Sequence, residues 1–107
     1  EEVLDFVGGR EDLKNKILRA IGNPDERFRE DRLRILRGVR FAAALDFEIE
    51  PATWTAIQEA APRIGEISIE RIREELVRIF LDPSRVRGLD LLESSGLLEY
   101  VLPEMLD

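Results

Sequence analysis

Apolar residues recurring at helical period constrain this chain more than any other feature. Phe28, Ile35, Leu36, Val39, Ala42 and Ala43 fall on one arc of a 3.6-residue repeat. The positions between them are rich in arginine. Arg27, Arg29, Arg32, Arg34, Arg37 and Arg40 cluster there, whereas Asp46, Glu48, Glu50 and Glu59 follow without an intervening base. The spacing predicts one long helix from about Asp25 to Leu45, preceded by the Asn23-Pro24-Asp25 punctuation. Arg32 falls inside the apolar arc, so either it snorkels along the core edge or the helical register shifts near the start. Arg37 and Arg40 are expected to point further round, toward solvent or phosphate.

Further helices follow. Glu50 is placed to cap the next one, with Pro51 in its first turn and Trp54, Ile57 and Ala61 on its buried side. Ser68 caps another, with a core stripe of Ile69, Ile72, Leu76, Ile79 and Phe80. Asp82-Pro83 ends that helix and starts one lined by Val86, Leu89 and Leu92, which Gly96 closes. Leu97 to Leu102 is expected to form a short final helix before Pro103. Near the start, Val3–Val7 and Lys16–Ile21 read as two short strands, with Gly8 and Gly9 as turn and Asp12 to Asn15 as a polar connection. The expected fold is mainly α with a short N-terminal β-hairpin, an α+β fragment.

Composition narrows the chemistry. With 107 residues the chain is one domain or part of one, and it has neither cysteine nor histidine. Disulfides, thiolate metal sites, histidine bases and Ser-His-Asp triads are therefore excluded within it. The formal charge of −7 argues against phosphate contacts all over the surface, while the arginine cluster allows them locally. No apolar run approaches membrane-spanning length and no signal peptide is visible, so a cytoplasmic location is expected. The first residue is Glu1 and the only methionine is Met105, which suggests an internal portion of a longer polypeptide.

Within the predicted helix, Asp31 and Arg34 lie at i and i+3 and share a face. A carboxylate beside a forked guanidinium matches the Watson–Crick edge of cytosine or adenine, where an amino donor adjoins a ring-nitrogen acceptor. Guanine and uracil present the opposite order. The ordinary reading of such spacing is a solvated ion pair of small weight. Gly38 lies on the same stripe and costs a helix about 1 kcal/mol relative to alanine, in exchange for close approach of a base or backbone. In Ser68-x-Glu70-Arg71-Ile72-x-x-Glu75, Glu75 lies beside the apolar stripe, so it either pairs across helices or forms an ordinary i,i+4 pair with Arg71. Asp46-Phe47-Glu48-Ile49-Glu50 alternates acids, as a two-metal strand does. It is too short and too close to a helix start for that, and reads as a solvated connection with Phe47 and Ile49 turned inward. Gly8-Gly9-Arg10-Glu11-Asp12 lacks the Lys-Ser/Thr of a phosphate loop.

Several blocks in succession resemble the class II tRNA nucleotidyltransferases, the family of bacterial CCA-adding enzymes and poly(A) polymerases. They are Leu4-Asp5-Phe6-Val7-Gly8-Gly9-Arg10-Glu11-Asp12-Leu13, Ile17-Leu18-Arg19-Ala20-Ile21-Gly22-Asn23-Pro24, the Phe28–Phe41 stretch, Phe47 to Thr53, and Ser68 to Leu76. The resemblance implies that residues 1–23 end the catalytic domain, 24–82 form a helical neck that templates the nucleotide and contacts RNA, and 83–107 begin the helical body. It implies that Asp31 and Arg34 read the base of incoming CTP or ATP and that Glu30 steadies the arginine. Arg37 and Arg40 would contact phosphate or orient the template, while Arg71, Glu75 and Gly38 support it. No catalytic or metal-binding residue is expected in this segment. Magnesium and the catalytic carboxylates would belong to an upstream domain, and the segment alone would be inactive. The expected partners are ATP or CTP, the 3′ end of tRNA or another RNA, and the flanking catalytic and body or tail domains of the same chain, with no membrane. The resemblance also places Asp5 in a motif that couples the catalytic domain to the neck. The alternative is a non-catalytic helical RNA-binding or protein-interaction module. CCA addition, A-only addition and poly(A) synthesis are not separated by these residues.

Overall fold

The structure, a computed structural model, describes residues 10–106. The first strand of the expected hairpin, its glycine turn and Asp5 lie outside those residues. Arg10–Asn15 forms a short helix, α1, where a polar connection was expected. Its Asp12 is buried and takes two bonds from Arg19, from Nε at 2.8 Å and Nη2 at 3.1 Å. This bidentate pair fastens a turn that carries little apolar periodicity of its own. Lys16 then turns the chain through a positive φ into a two-residue strand, β1 (Ile17–Leu18).

The predicted long helix is two helices. Asn23 accepts the Glu26 N–H and Pro24 opens α2 (Pro24–Glu30). The chain then leaves helical geometry at Asp31 (φ −154°, ψ 106°), and α3 begins at Leu33 and runs to Leu45. Asp31 causes the break through its own side chain. Its Oδ1 accepts the Leu33 N–H at 3.0 Å, a local bond that competes with the helical ladder. The i,i+3 helical face proposed for Asp31 and Arg34 is thus replaced by a turn, in which the Arg34 N–H donates to the Asp31 carbonyl at 3.1 Å. Arg32 sits in that turn, and its Nε reaches Glu66 Oε1 at 3.2 Å.

The apolar arc itself is as expected. Phe28, Ile35, Leu36, Val39, Ala42 and Ala43 are buried, and α3 packs against two later helices, α5 (Ile69–Leu81) and α6 (Arg85–Ser95). Asp46 closes α3 in the left-handed region, which aspartate tolerates better than most residues. The following Glu48–Ile49 is a strand, β2, rather than only a connection. It pairs in parallel with β1, Ile17 opposite Glu48 and Leu18 opposite Ile49. Phe47 and Ile49 pack half-buried against the core, as expected.

Glu50 caps α4 (Pro51–Ala60), accepting from the Ala52 and Thr53 N–H groups. A 3-10 segment (Ala61–Glu66) leads to Ser68, which caps α5. Ile72, Leu76 and Ile79 form the buried stripe of α5, with Phe80 half-buried, but Ile69 in the first turn is exposed. On α6 the buried side carries Gly88, Leu92 and Ser95, so Val86 and Leu89 face outward, contrary to expectation. The seam is set by Gly88: a Cβ there would lie 2.7 Å from Ile79 Cγ2 and 3.8 Å from Ala43 Cβ. Only glycine lets α6 come this close to α5. Gly96, at φ 86°, ends α6. The last helix, α7 (Leu98–Leu106), continues through Pro103, which removes one backbone donor without ending it.

Candidate functional site

The α2–α3 break brings Glu30, Asp31 and Arg34 together. Arg34 Nη1 donates to Glu30 Oε1 at 2.7 Å and to the Arg27 carbonyl at 3.0 Å, so the last turn of α2 fixes the guanidinium from two directions. Asp31 is fixed in the same way. Oδ1 takes the Leu33 N–H, and Oδ2 takes Arg71 Nη2 at 3.1 Å from the first turn of α5. About a quarter of the Asp31 side chain and a fifth of the Arg34 side chain remain exposed.

Burial pushes the Asp31 carboxyl up, but the Leu33 N–H and the guanidinium of Arg71, with Arg37 beyond, together hold it below its ordinary value. The hydrogen bond from Arg34, aided by the charge of Arg27 and against some desolvation, lowers Glu30 as well. Both carboxyls are ionised at neutral pH and act as acceptors only.

Arg37 and Arg40 do not point to open solvent. They converge on Glu75 of α5, Arg40 Nε at 2.8 Å from Oε1 and Arg37 Nε at 3.5 Å from Oε2. Glu75 is 2% exposed, and Arg78 approaches its Oε2 at 3.4 Å. The cross-helix role for Glu75 is therefore the one observed. Arg40 also lies over the Phe41 ring, 4.7 Å from its centroid. Gly38 is buried within α3. Arg27 and Arg78 were not singled out from the sequence, although their spacing from Glu30 and Glu75 (i,i+3 in each case) carried the signal. A separate cavity of about 360 Å³ opens between α2, α4 and the 3-10 segment, lined by Asp25, Arg29, Arg32, Glu59 and Arg63 among others, and by none of the site residues.

Among the described residues no group of acidic, histidine or cysteine side chains is arranged to hold a metal ion. No described helix is long and apolar enough to cross a membrane.

Residues 46–107, more than half the chain, match the family described as the probable RNA and SrmB-binding site of polymerase A. The chain is also 47% identical over 104 residues to a CCA-adding enzyme of Streptococcus sanguinis, covering 97% of this chain and 26% of that protein. The chain belongs to the family of class II CCA-adding enzymes and poly(A) polymerases. Another relative in the family, the CCA-adding enzyme of Enterococcus faecalis, is 51% identical over 88 residues, 82% of this chain and 22% of its own length. Among solved structures, the Bacillus stearothermophilus CCA-adding enzyme in complex with CTP superposes with a TM-score of 0.82 at 36% identity, covering 90% of this chain and 28% of that one. The Thermotoga maritima CCA-adding enzyme complexed with tRNA gives 0.81 at 27% identity, covering 92% and 24%. The chain thus spans about a quarter of the length of the curated family members it matches.

Proposed function

We propose that this chain is the base-reading segment of an RNA 3′-end nucleotidyltransferase that adds CMP and AMP from CTP and ATP to tRNA. In that enzyme residues 1–23 close the catalytic domain, 24–82 form the neck and 83–107 open the body. The observation that carries the reading is that one turn, closed by the Arg34 N–H on the Asp31 carbonyl, holds an Asp31 kept ionised and an Arg34 fixed by Glu30, both partly exposed. Relatives named as CCA-adding enzymes, solved with CTP and with tRNA, support the same substrates.

The residues act by geometry. Asp31 accepts the exocyclic amino group of cytosine or adenine, and Arg34 donates to the neighbouring ring nitrogen. Guanine or uracil would set a carbonyl oxygen against the Asp31 carboxylate and a ring N–H against the guanidinium. Each mismatched polar contact costs about 1–3 kcal/mol, or roughly ten- to a hundredfold in discrimination. Glu30 keeps the Arg34 fork aimed. Arg37 and Arg40, held by Glu75, orient the template helix and lend positive charge to the triphosphate side. Magnesium would be held by carboxylates of the upstream catalytic domain, where it would supply charge stabilisation. The described residues do not fit it, because the acids of the site are committed to arginines.

Asp31→Ala and Arg34→Ala in the full-length protein test the reading. Loss of preference for CTP and ATP over UTP and GTP is expected. If these variants weaken RNA binding alone and leave nucleotide choice intact, a non-catalytic RNA-binding role for the segment replaces it.

A further inference from the structure

We propose that the cavity between α2, α4 and the 3-10 segment is a second ligand site, one that takes a phosphorylated ribonucleoside without using Asp31 or Arg34. The choice of ligand rests on the nucleotidyltransferase reading, while the site itself rests on the cavity. Two strips of sequence build it. Asp25, Phe28, Arg29 and Arg32 recur at i, i+3, i+4 and i+7, the last of them just past the end of α2. Ala56, Glu59, Ala60 and Arg63 repeat the same spacing from α4 into the 3-10 segment. That spacing gathers each strip on one face, and α2 packs on α4 so that the two faces meet. The space between them is about 360 Å³, within the range of small-ligand pockets.

The lining divides by chemistry. Phe28, Ala56 and Ala60 are buried and supply an apolar floor. Asp25, Arg29 and Glu59 are exposed and form no ion pair among the described residues. Arg32 and Arg63 share Glu66, Arg32 Nε at 3.2 Å from Oε1 and Arg63 Nη1 at 3.3 Å from Oε2. Three arginines thus face three acids, and a bare anion gains little from the net charge. A ligand with both an anion and hydroxyl donors satisfies the two sets together. Guanidinium forks take the phosphate oxygens, and the carboxylates of Asp25 and Glu59 accept from ribose hydroxyls. The apolar floor receives the base.

Glu66 makes the site conditional. An incoming phosphate competes with it for Arg32 and Arg63. The Glu66 side chain is about half exposed, and a pair of that kind contributes little to stability, so displacing it costs little. Arg32 and Asp31 are neighbours in the chain, yet their side chains part, one toward Glu66 and the other toward Arg71. A ligand in the cavity therefore shares no lining residue with the base-reading pair, and both sites can be filled at once.

The test uses the full-length enzyme and two probes that separate the sources of such a ligand. AMP, added with saturating CTP, represents a free nucleotide, and a tRNA primer represents a nucleotide within an RNA chain. The double substitution Arg29→Ala with Arg63→Ala removes two forks at exposed positions, so the fold should tolerate it. Affinity for one probe is expected to fall about tenfold while CTP binding is unchanged. Glu66→Gln removes the competitor and is expected to raise affinity for that same probe several-fold. The probe that responds identifies the source. Changes below twofold for both probes would overturn the proposal, as would weaker binding in Glu66→Gln. It also falls if Asp31→Ala erases the effect of the double substitution, since the probe would then sit at the base-reading turn. If the cavity variants respond while Asp31→Ala and Arg34→Ala leave nucleotide choice intact, base reading is lost and the cavity site stands. Failure of the wild-type enzyme to extend tRNA would remove the nucleotidyltransferase reading and the choice of ligand with it.

Discussion

Arg40 Nε donates to Glu75 Oε1 at 2.8 Å, onto a carboxylate that is only 2% exposed. This contact joins α3 to α5 in the interior rather than at the surface. Arg37 and Arg78 complete the shell around the same acid. Removing the acid would take from Arg37, Arg40 and Arg78 the buried carboxylate on which all three converge. Glu75→Ala is therefore expected to destabilise the chain by about 3 kcal/mol, near the lower end for a broken buried pair because the arginines keep some contact with water. Urea unfolding at neutral pH checks this. A loss under 1 kcal/mol would mean that the arginines find other partners.

Gly88→Ala tests the α5–α6 seam. The added methyl would lie 2.7 Å from Ile79 Cγ2, well inside van der Waals contact. Alanine is otherwise the better helix former, so propensity alone predicts stabilisation by about 1 kcal/mol. Overpacking of a close seam is expected to win, with a net loss of about 1–3 kcal/mol. A rise in Tm would show that the seam relaxes freely.

The sequence revealed helices with wide apolar arcs and obscured features made by single polar or small side chains. The arc of α3 and the stripe through Ile72, Leu76 and Ile79 were legible because period and burial coincide. The break at Asp31 was not, since no proline or glycine marks it and the arginines around it are good helix formers. The aspartate side chain wins there by offering Leu33 a local acceptor. The β1–β2 pair joins two dipeptides about thirty residues apart, too short to show alternation. On α6 the reading followed the large residue Leu89, whereas the packing follows Gly88, where the absence of a side chain is the feature. At the site, residue types were legible, and so was Glu30 as the partner of Arg34, but the partner of Asp31 was not. The i,i+3 rule paired Asp31 with Arg34, and the fold gives Asp31 to Arg71 and Arg34 to Glu30.

Thr53 links the segment that follows β1 to α4. Its Oγ1 is buried, accepts the Ala20 N–H at 3.0 Å and donates to Glu50 Oε1 at 2.8 Å. Thr53→Val preserves shape and removes both contacts. The Ala20 N–H then has no partner in an interior position, which costs about 1–3 kcal/mol. Thr53→Ser should recover most of this in a denaturant titration. If valine proves neutral, water reaches Ala20.

Acid should weaken this fold through its capping carboxylates, and Glu50 allows the sign to be isolated. Burial raises its carboxyl, but the Thr53 hydroxyl, the N–H groups of Thr53 and Ala52, and Arg19 together lower it below its ordinary 4.5. A carboxyl depressed by folding contributes stability that is fully present above its unfolded value and is lost as pH falls through its folded value. Glu50 therefore stabilises α4 at neutral pH, and this contribution disappears below about pH 4.5. Glu30, Asp31, Glu66 and Asp82 are lowered too, so the wild-type chain loses stability over the same acid range. Glu50→Gln keeps an oxygen for the cap and removes the charge. The variant should be less stable than wild type by about 1 kcal/mol at pH 7, and the two should converge as the pH is lowered through the carboxylate range. Urea midpoints measured from pH 7 down to pH 3 decide it. A gap that stays constant across that range would assign the cap to hydrogen-bond geometry alone, with no contribution from the charge of Glu50.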